Sequence, residues 1–547
     1  MAIQKHTSDA PVLESVPVAE PQPAVESRPA ESRSWTPAQR FWFRVAFIFF
    51  TVFSIPTTLD WYANVLSFDW LHLHYRDLYE IARFSPSLLR YFGVERGGGG
   101  EGGGRSPLLG YEDWFVLLGI ALVGAVIWTA LDRKRREYDI LYYWLRTIVR
   151  YRAGIGIIGF GFTKLFPTQM PYPSEGLLNT DFGDFTAQKI FWMSVGIVPW
   201  YQVFTGFVEI LAGAMLFFRG TTTIGAALLF GALGDIVFVN FAYDGGVHVY
   251  SSYFVLMALF LMIYDARRVY NLLVLERFTV PIHFYPDFSK GWLKYLRIGL
   301  KTATIAIFLV WFTWLEYINF NFDPYKQPAM KGVTALRGLY NVTEFRLNNK
   351  VIPYSPTDTV RWQSATFEKW SSLTFKVNKP TRLDLSNGGG APMRDLNRTF
   401  EVSGVAGGRR VFYYDADTVD QVLYLQDKIR KNNRATVDGK EIAAGNARKN
   451  REKPEADQWI PKVALARIGS EVTRIDPRGY TTRRERGIAE ETRPVKRNRM
   501  ILKYSTTDGS RVILTGVDER KDSIYVVLDR VNRKYALSES SLQAGKY

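Results

Sequence analysis

The chain has 547 residues, of which 47% are hydrophobic and 15% aromatic, and it carries a formal net charge of +16. It contains no Cys, which excludes disulfides, CxxC redox motifs, thiolate metal sites and all-Cys iron–sulfur clusters. Only five His are present, and none lies in the middle of an apolar run, so a haem held by two His between helices is excluded too. Long uncharged runs between residues 41 and 318 predict a polytopic α-helical membrane protein with a polar C-terminal domain.

Residues 1–40 are rich in Pro, Ala, Glu, Ser and Val and lack apolar periodicity. They are predicted to be a disordered cytoplasmic tail. A transmembrane helix needs about 20 largely apolar residues, and about seven stretches qualify as spans. We place these spans at residues 41–58, 114–131, 140–166, 200–218, 222–243, 251–264 and 298–317. The sixth is short and is expected to begin near Val247.

Basic residues in the short loops predict the orientation, because short loops rich in Lys and Arg stay in the cytoplasm. Residues 132–136 follow the second span, Arg219 follows the fourth, and Arg267 and Arg268 follow the sixth. Every second loop is therefore basic. The pattern predicts a cytoplasmic N-terminus and a C-terminal domain that lies outside the cytoplasm.

Two connecting regions have compositions of their own. Residues 41–139 hold two flanking spans joined by an external loop, which ends in a Gly-rich stretch at 97–104 that is typical of a flexible linker. Residues 269–318 hold a segment rich in aromatic and basic residues, followed by the last span. That segment fits either an interfacial helix on the anionic inner leaflet or a connector with snorkelling basic side chains.

Residues 319–547 are predicted to form an antiparallel β domain, either a sandwich or a barrel. Leu373, Phe375 and Val377 alternate with polar residues, and the same two-residue period recurs at 524–528, as in strands with one buried face. Asp508-Gly509 between two apolar runs predicts a hairpin.

A basic insertion near residues 430–499 interrupts this β pattern. It is interpreted as a flexible arm, either simply solvated or in contact with an anionic lipid, a glycan or an acidic partner. Nucleic acid is not expected as a partner, because the arm faces away from the cytoplasm and no recognition motif accompanies it.

Ionisable residues inside the predicted spans are candidates for a functional site, because a charge at mid-bilayer costs about 2.5–3.5 kcal/mol on insertion scales. Counted from the outer span ends, Glu209 lies about 15 Å deep, Asp235 about 12 Å, and Lys164 and Asn240 about 3–5 Å. Gly206 and Gly213 share a helix face with Glu209, which should direct Glu209 into the bundle.

Asp244 and His248 lie in the external turn above these residues and are expected to gate an outward-facing pocket. Two interpretations of the polar groups stay open. They form either an internal salt bridge that fixes the helix register, or a pocket whose carboxylates bind a polar headgroup or relay protons. No metal site is predicted, since Asp69, His72 and His74 supply too few ligands.

Three sequence motifs around these residues resemble the DoxX-like family of bacterial membrane proteins. They are Gly161-Phe-Thr-Lys164, Gly206-Phe-Val-Glu209 and Tyr243-Asp244, within residues 140–268. The resemblance implies a four-helix membrane bundle as the core. It also implies a location in the bacterial inner membrane, which would make the C-terminal domain periplasmic. It further implies a relation to the subunits of quinone-linked thiosulfate oxidoreductases and, more distantly, to the membrane module of vitamin-K-dependent carboxylases. His248 departs from the Lys expected in close relatives.

Two functions follow as hypotheses. In the first, the protein is a subunit or partner of a membrane complex. It binds a lipid-soluble ligand such as a quinone through the residues named above, with no haem, iron–sulfur cluster or assigned catalytic residue of its own. In the second, the helices are a non-enzymatic anchor, and the periplasmic β domain binds another protein or an envelope polymer. Membrane lipids are partners in both.

Overall fold

The computed structural model describes residues 35–93, 108–279, 291–381, 383–390, 393–429, 471–491 and 497–539, with isolated positions at 284–288 and 436–466. Most of the predicted N-terminal tail, the Gly-rich linker and much of the basic insertion lie outside the described residues. The rest forms a helical domain followed by an antiparallel β domain, as predicted.

Twelve helices in the described residues make up the helical domain. They are α1 (Pro37–Phe53), α2 (Leu59–Leu66), α3 (Tyr75–Ala82), α4 (Glu112–Leu131), α5 (Asp139–Leu165), α6 (Glu175–Leu178), α7 (Ala187–Gly196), α8 (Pro199–Leu216), α9 (Thr222–Ala242), α10 (His248–Leu273), α11 (Gly291–Ile305) and α12 (Phe312–Phe322). A π-helical turn joins the last two into one long helix. Every predicted span falls on a helix, and the short sixth one begins at His248.

Four of the described helices are long and apolar enough to cross a membrane, namely α4, α9, α10 and the α11–α12 helix. The pair α7 and α8, bent by 93°, adds a fifth if it counts as one span. Two other predicted spans do not meet these criteria: α1 is too short, with 17 residues, and α5 contains too many charged residues. Two of the α5 charges are held inside the protein, since Arg150 donates to Thr222 and Arg152 to the Phe84 carbonyl.

Helices α5 and α8 cross at unusually close range. A Cβ at Gly206 of α8 would come within 2.6 Å of the Gly161 carbonyl oxygen on α5, and a Cβ at Gly154 would come within 2.9 Å of the Gly213 oxygen. Two pairs of glycines, seven residues apart on each helix, therefore let the two backbones touch.

Successive loops lie at opposite ends of the helical domain. At one end, the loops around α3 and α7 contact the β domain: Arg483 pairs with Asp77 at 2.5 Å, and Lys189 donates to the Phe400 carbonyl at 2.7 Å. At the other end, Trp35 donates to Asp139 at 3.0 Å. The basic loop at 132–136 lies at that second end, away from the β domain.

The β domain contains β1 (Gly338–Leu347), β2 (Lys350–Val351), β3 (Trp362–Phe367), β4 (Ser372–Val377), β5 (Arg409–Asp417), β6 (Val422–Asp427), β9 (Arg499–Ser505), β10 (Arg511–Val517) and β11 (Ser523–Arg530). A separate two-residue ladder joins β7 (Thr436–Val437) to β8 (Lys440–Glu441). Pairing runs β11-β10-β9-β6-β5-β4-β3-β1, and β11 pairs back with β1. The result is a closed eight-stranded antiparallel barrel.

Side chains fill the barrel interior, as expected for eight strands. Trp362 stacks on Phe375 at 3.9 Å between ring centroids, and Phe375 stacks on Phe412 at 5.5 Å. The predicted hairpin is confirmed: β9 and β10 pair across Asp508-Gly509, and Gly509 has a φ of +79°, which glycine adopts without strain. The predicted β domain is therefore a barrel rather than a sandwich.

Candidate functional site

Lys164 of α5 and Glu209 of α8 form a buried ion pair inside the helical domain. The Lys164 Nζ donates to the Glu209 Oε1, and the two residues are 8% and 2% exposed. The Glu209 Oε2 has no hydrogen-bond partner among the described residues. The prediction that Glu209 faces the bundle is confirmed.

The glycine crossing explains why these two residues meet. Gly206 lies three residues before Glu209, and Gly161 lies three before Lys164, so the contact between the two backbones places the two side chains side by side. Counting residues from the span ends predicts that Lys164 lies about 10 Å closer to the outer surface than Glu209. In the structure the glycine contact aligns α5 with α8 so that the two side chains lie at the same level.

The other predicted site residues lie elsewhere. Asp235 is on an exposed face of α9, not in the bundle. Asn240 is buried and donates to the Ile236 carbonyl at 2.7 Å, within the same helix. Asp244 is exposed, with a φ of +50°. His248 contacts the Leu109 carbonyl at 2.8 Å.

None of these four residues forms a hydrogen bond or ion pair with Lys164 or Glu209 in the described part of the chain. The expected gathering of polar groups from three helices is thus reduced to a single pair. The expectation that Asp235 faces the bundle is wrong. Because α9 is apolar on nearly every side, its sequence does not indicate which face packs against the other helices.

A larger buried charge cluster, which the sequence did not reveal, lies where the helical domain meets the barrel. At its centre is Arg484, which is fully buried. Its guanidinium donates to Asp323 at 2.6 Å, to Asp395 at 2.7 Å and to Glu471 at 3.2 Å. Three separate parts of the chain, namely the end of α12, the β4–β5 loop and the basic insertion, therefore meet on one side chain.

Two more arginines complete this junction cluster. Arg398 donates to Asp323 at 2.8 Å and to Asp395 at 3.3 Å, and Arg394 donates to Glu471 at 2.9 Å. The three carboxylates and three guanidiniums balance in charge. Burial alone would raise the pKa of Asp323 and Asp395, yet the arginines hold the pKa of both below the usual range, so both stay ionised.

The cluster extends to the loop between α1 and α4. His74, which caps α3, has its Nε2 3.9 Å from the Asp323 Oδ2. Burial lowers the pKa of His74 to about 4, so the imidazole is neutral at pH 7. Beside it, Arg483 pairs with Asp77. The junction therefore ties together four segments of the chain.

The insertion differs from the predicted flexible arm over residues 471–491. This part forms α13 (Glu471–Arg474) and α14 (Thr482–Glu491), which dock on the end of α12. In the sequence, the run at 483–486 reads as solvated charge. One residue in the sequence could have indicated this docking, namely Asp323, which directly follows α12. Once the barrel packs against the end of α12, the buried Asp323 carboxylate needs a cation beside it.

The described residues contain no cluster of side chains that could hold a metal ion. His72 contacts only its neighbour Asp69, at 2.9 Å, while His74 turns toward Asp323. The ion pairs of the junction cluster are suited to holding the helical domain and the barrel together.

Comparison with known proteins adds one similarity. The chain is 34% identical over 79 residues to the uncharacterized protein YwoB of Bacillus subtilis (strain 168), which covers 14% of this chain and 51% of that protein. The chain thus matches about half the length of that relative. No family model matches, and no solved structure matches.

Proposed function

We propose that this protein is a non-enzymatic membrane anchor that presents its β barrel at a fixed position above a membrane, for binding to another protein or to an envelope polymer. The observation that carries the proposal is the junction cluster around Arg484. A tether needs only a linker, whereas a buried network of six charges fixes the barrel relative to the helices, since its members satisfy each other only in one arrangement.

The membrane in this proposal is the bacterial inner membrane, with the barrel in the periplasm and all of the predicted spans crossing. The distribution of basic residues supports this orientation. The loop at 132–136 and Arg219 lie at the end opposite the barrel, as expected for cytoplasmic loops. Membrane lipids then surround the exposed apolar faces of α4 and α9.

A second candidate function is the binding of a lipid-soluble ligand, such as a quinone, beside Glu209 in a DoxX-like bundle that serves a membrane complex. The Oε2 of Glu209 has no hydrogen-bond donor among the described residues, and this favours the second function. Buried carboxylate oxygens are normally hydrogen-bonded, and a bound ligand would supply the missing donor. The tight glycine crossing and the exposed position of Asp235 weigh against this function.

Two experiments test these proposals. In this Cys-free chain, K350C on the barrel should react with an impermeant maleimide added outside cells, whereas K134C should not; the reverse result overturns the orientation. Lipids co-purified with K164M/E209Q should contain as much quinone as those from the unaltered protein if the helices are an anchor. A specific loss of quinone would establish the second function instead.

A further inference from the structure

Four basic side chains, the basic end cluster, gather at the end of the helical domain that lies opposite the barrel. They come from three parts of the chain: Arg150 from α5, Arg219 from the α8–α9 loop, and Arg297 and Lys301 from α11. The guanidiniums of all three arginines lie close enough to the Lys301 ammonium to repel it. Packing of the helices therefore brings like charges together that are far apart in the sequence.

No acidic side chain in the described part of the chain balances this cluster. None of its four members forms an ion pair there, and the charges that act on Lys301 are all positive. Asp265 at the same end is taken up by Arg146 at 3.7 Å and by Thr223 at 2.6 Å. Residues 285–301 contain one acidic residue against four Lys and Arg. The excess of positive charge is thus a property of the sequence as well as of the fold.

Arg150 is the buried member of the cluster. Its side chain is 9% exposed, and its Nη1 donates to the Thr222 hydroxyl at 3.4 Å. Its Nε, however, has no hydrogen-bond partner among the described residues. Buried polar groups are normally hydrogen-bonded, and a buried charge is costly unless it is paired. The unused donor indicates a missing acceptor at this place.

Aromatic rings hold the exposed members of the cluster. The Arg219 guanidinium lies 4.7 Å from the centre of the Tyr285 ring, and the Arg297 guanidinium lies 4.9 Å from the centre of the Phe288 ring. Such cation–π contacts fix where a guanidinium lies but leave its charge without a counterion. The positive charges are therefore held in place together, and a bound anion would relieve their repulsion.

We propose that the basic end cluster binds the headgroup of an anionic phospholipid that carries two phosphates, of the diphosphatidylglycerol type. Arg binds phosphate as a fork and Lys as a point charge, so four cations suit two phosphates. Basic pockets between membrane helices on the cytoplasmic side bind headgroups of this kind.

A lipid fits better than a free phosphate because apolar side chains adjoin the cluster. Leu300 is exposed, and on α11 it lies three residues after Arg297 and next to Lys301, so it shares their side of the helix and can contact an acyl chain. Ile224, near the start of α9, is exposed as well. The inference rests on the proposed membrane location, but not on what the barrel binds.

The test uses the full-length chain purified in detergent. Native mass spectrometry measures bound diphosphatidylglycerol, with phosphatidylcholine as the zwitterionic control and inorganic pyrophosphate as a soluble competitor. R297A/K301A is compared with R133A/K134A, which removes the same charge from exposed positions at the same end of the helical domain. R297K/K301R keeps both charges, and R219A tests the cluster from a second segment.

R297A/K301A should weaken diphosphatidylglycerol binding at least about tenfold, because two charged contacts with phosphate are lost. R219A should weaken it too, while R133A/K134A and R297K/K301R should bind like the unaltered chain. Matching thermal melts would show that the weakened variants are folded.

Three results would overturn the proposal: equal binding of phosphatidylcholine, displacement of the lipid by an equal concentration of pyrophosphate, or the same loss in R297A/K301A and R133A/K134A. The second of these would assign the cluster to a free diphosphate. All three leave the orientation in the membrane untouched, because the maleimide labelling tests that separately.

Discussion

Removing Arg484 should weaken the junction between the helices and the barrel, because no other side chain of the cluster contacts Asp323, Asp395 and Glu471 together. In R484A, Arg398 alone remains against Asp323 and Asp395, and Arg394 alone against Glu471. Removing one member of a buried ion pair costs about 3–5 kcal/mol, because it leaves a charge buried without compensation. We expect the junction to lose about that much stability.

The matched control is R486A, two residues further along α14. Arg486 is exposed, so its removal should change stability by less than about 0.5 kcal/mol. R484K keeps the charge but loses the planar fork and should fall between the two. Urea-dependent proteolysis of the purified chain in detergent would show cleavage near residues 471–491 at lower urea in R484A than in R486A.

A double-mutant cycle separates local disruption from the coupling itself. If Arg484 acts through Asp323, then D323N should cost less in R484A than in the unaltered protein, with a coupling of about 0.5–3 kcal/mol. Equal urea midpoints for R484A and R486A would refute the reasoning, because the cluster would then be dispensable for docking.

Three further predictions follow from other parts of the structure. G206L should separate α5 from α8 and destabilise the helical domain by about 1–3 kcal/mol or more, whereas G231L, where a side chain meets open space, should be neutral in thermal melts of the helical signal. Stability should fall as the pH drops from about 6.5 toward about 4, because in that window His74 is neutral in the folded state and protonated in the unfolded chain. The loss should reach up to about 1.4 kcal/mol per pH unit. Thermal melts of H74N should therefore depend less on pH than those of the unaltered protein. E209A should destabilise by about 3–5 kcal/mol, because Lys164 stays buried without its partner, and K164M/E209Q should recover most of that loss in the same melting assay.

The helices were predictable because each depends on local composition. An apolar run of span length folds as a helix whatever its neighbours are, and the glycines flanking Glu209 identified its inward face. Likewise, two-residue alternation located β4 and β11, and Asp508-Gly509 located a turn. These signals act over a few residues, so they survive without knowledge of the fold.

The remaining features depend on partners distant in the chain. Arg484 is 161 residues from Asp323 and 89 from Asp395, and nothing in its own neighbourhood distinguishes it from the exposed Arg486. Closure of the barrel likewise requires β1 to pair with β11, which local patterns do not specify. Asp235 was misplaced for the opposite reason: a charge in an apolar helix suggests a buried role, yet only tertiary packing decides which way it points.

Closure of the barrel also restricts how anything can bind to it. Each of its eight strands has both neighbours, and the two-residue β2 is too short to template a further strand. An extended peptide therefore finds no row of unpaired N–H and C=O groups along the described sheet to extend. Under the proposed function, a partner would instead be recognised through side chains on the barrel wall and its loops. Substitutions at such positions, rather than prolines in strands, are therefore the ones to scan for lost affinity.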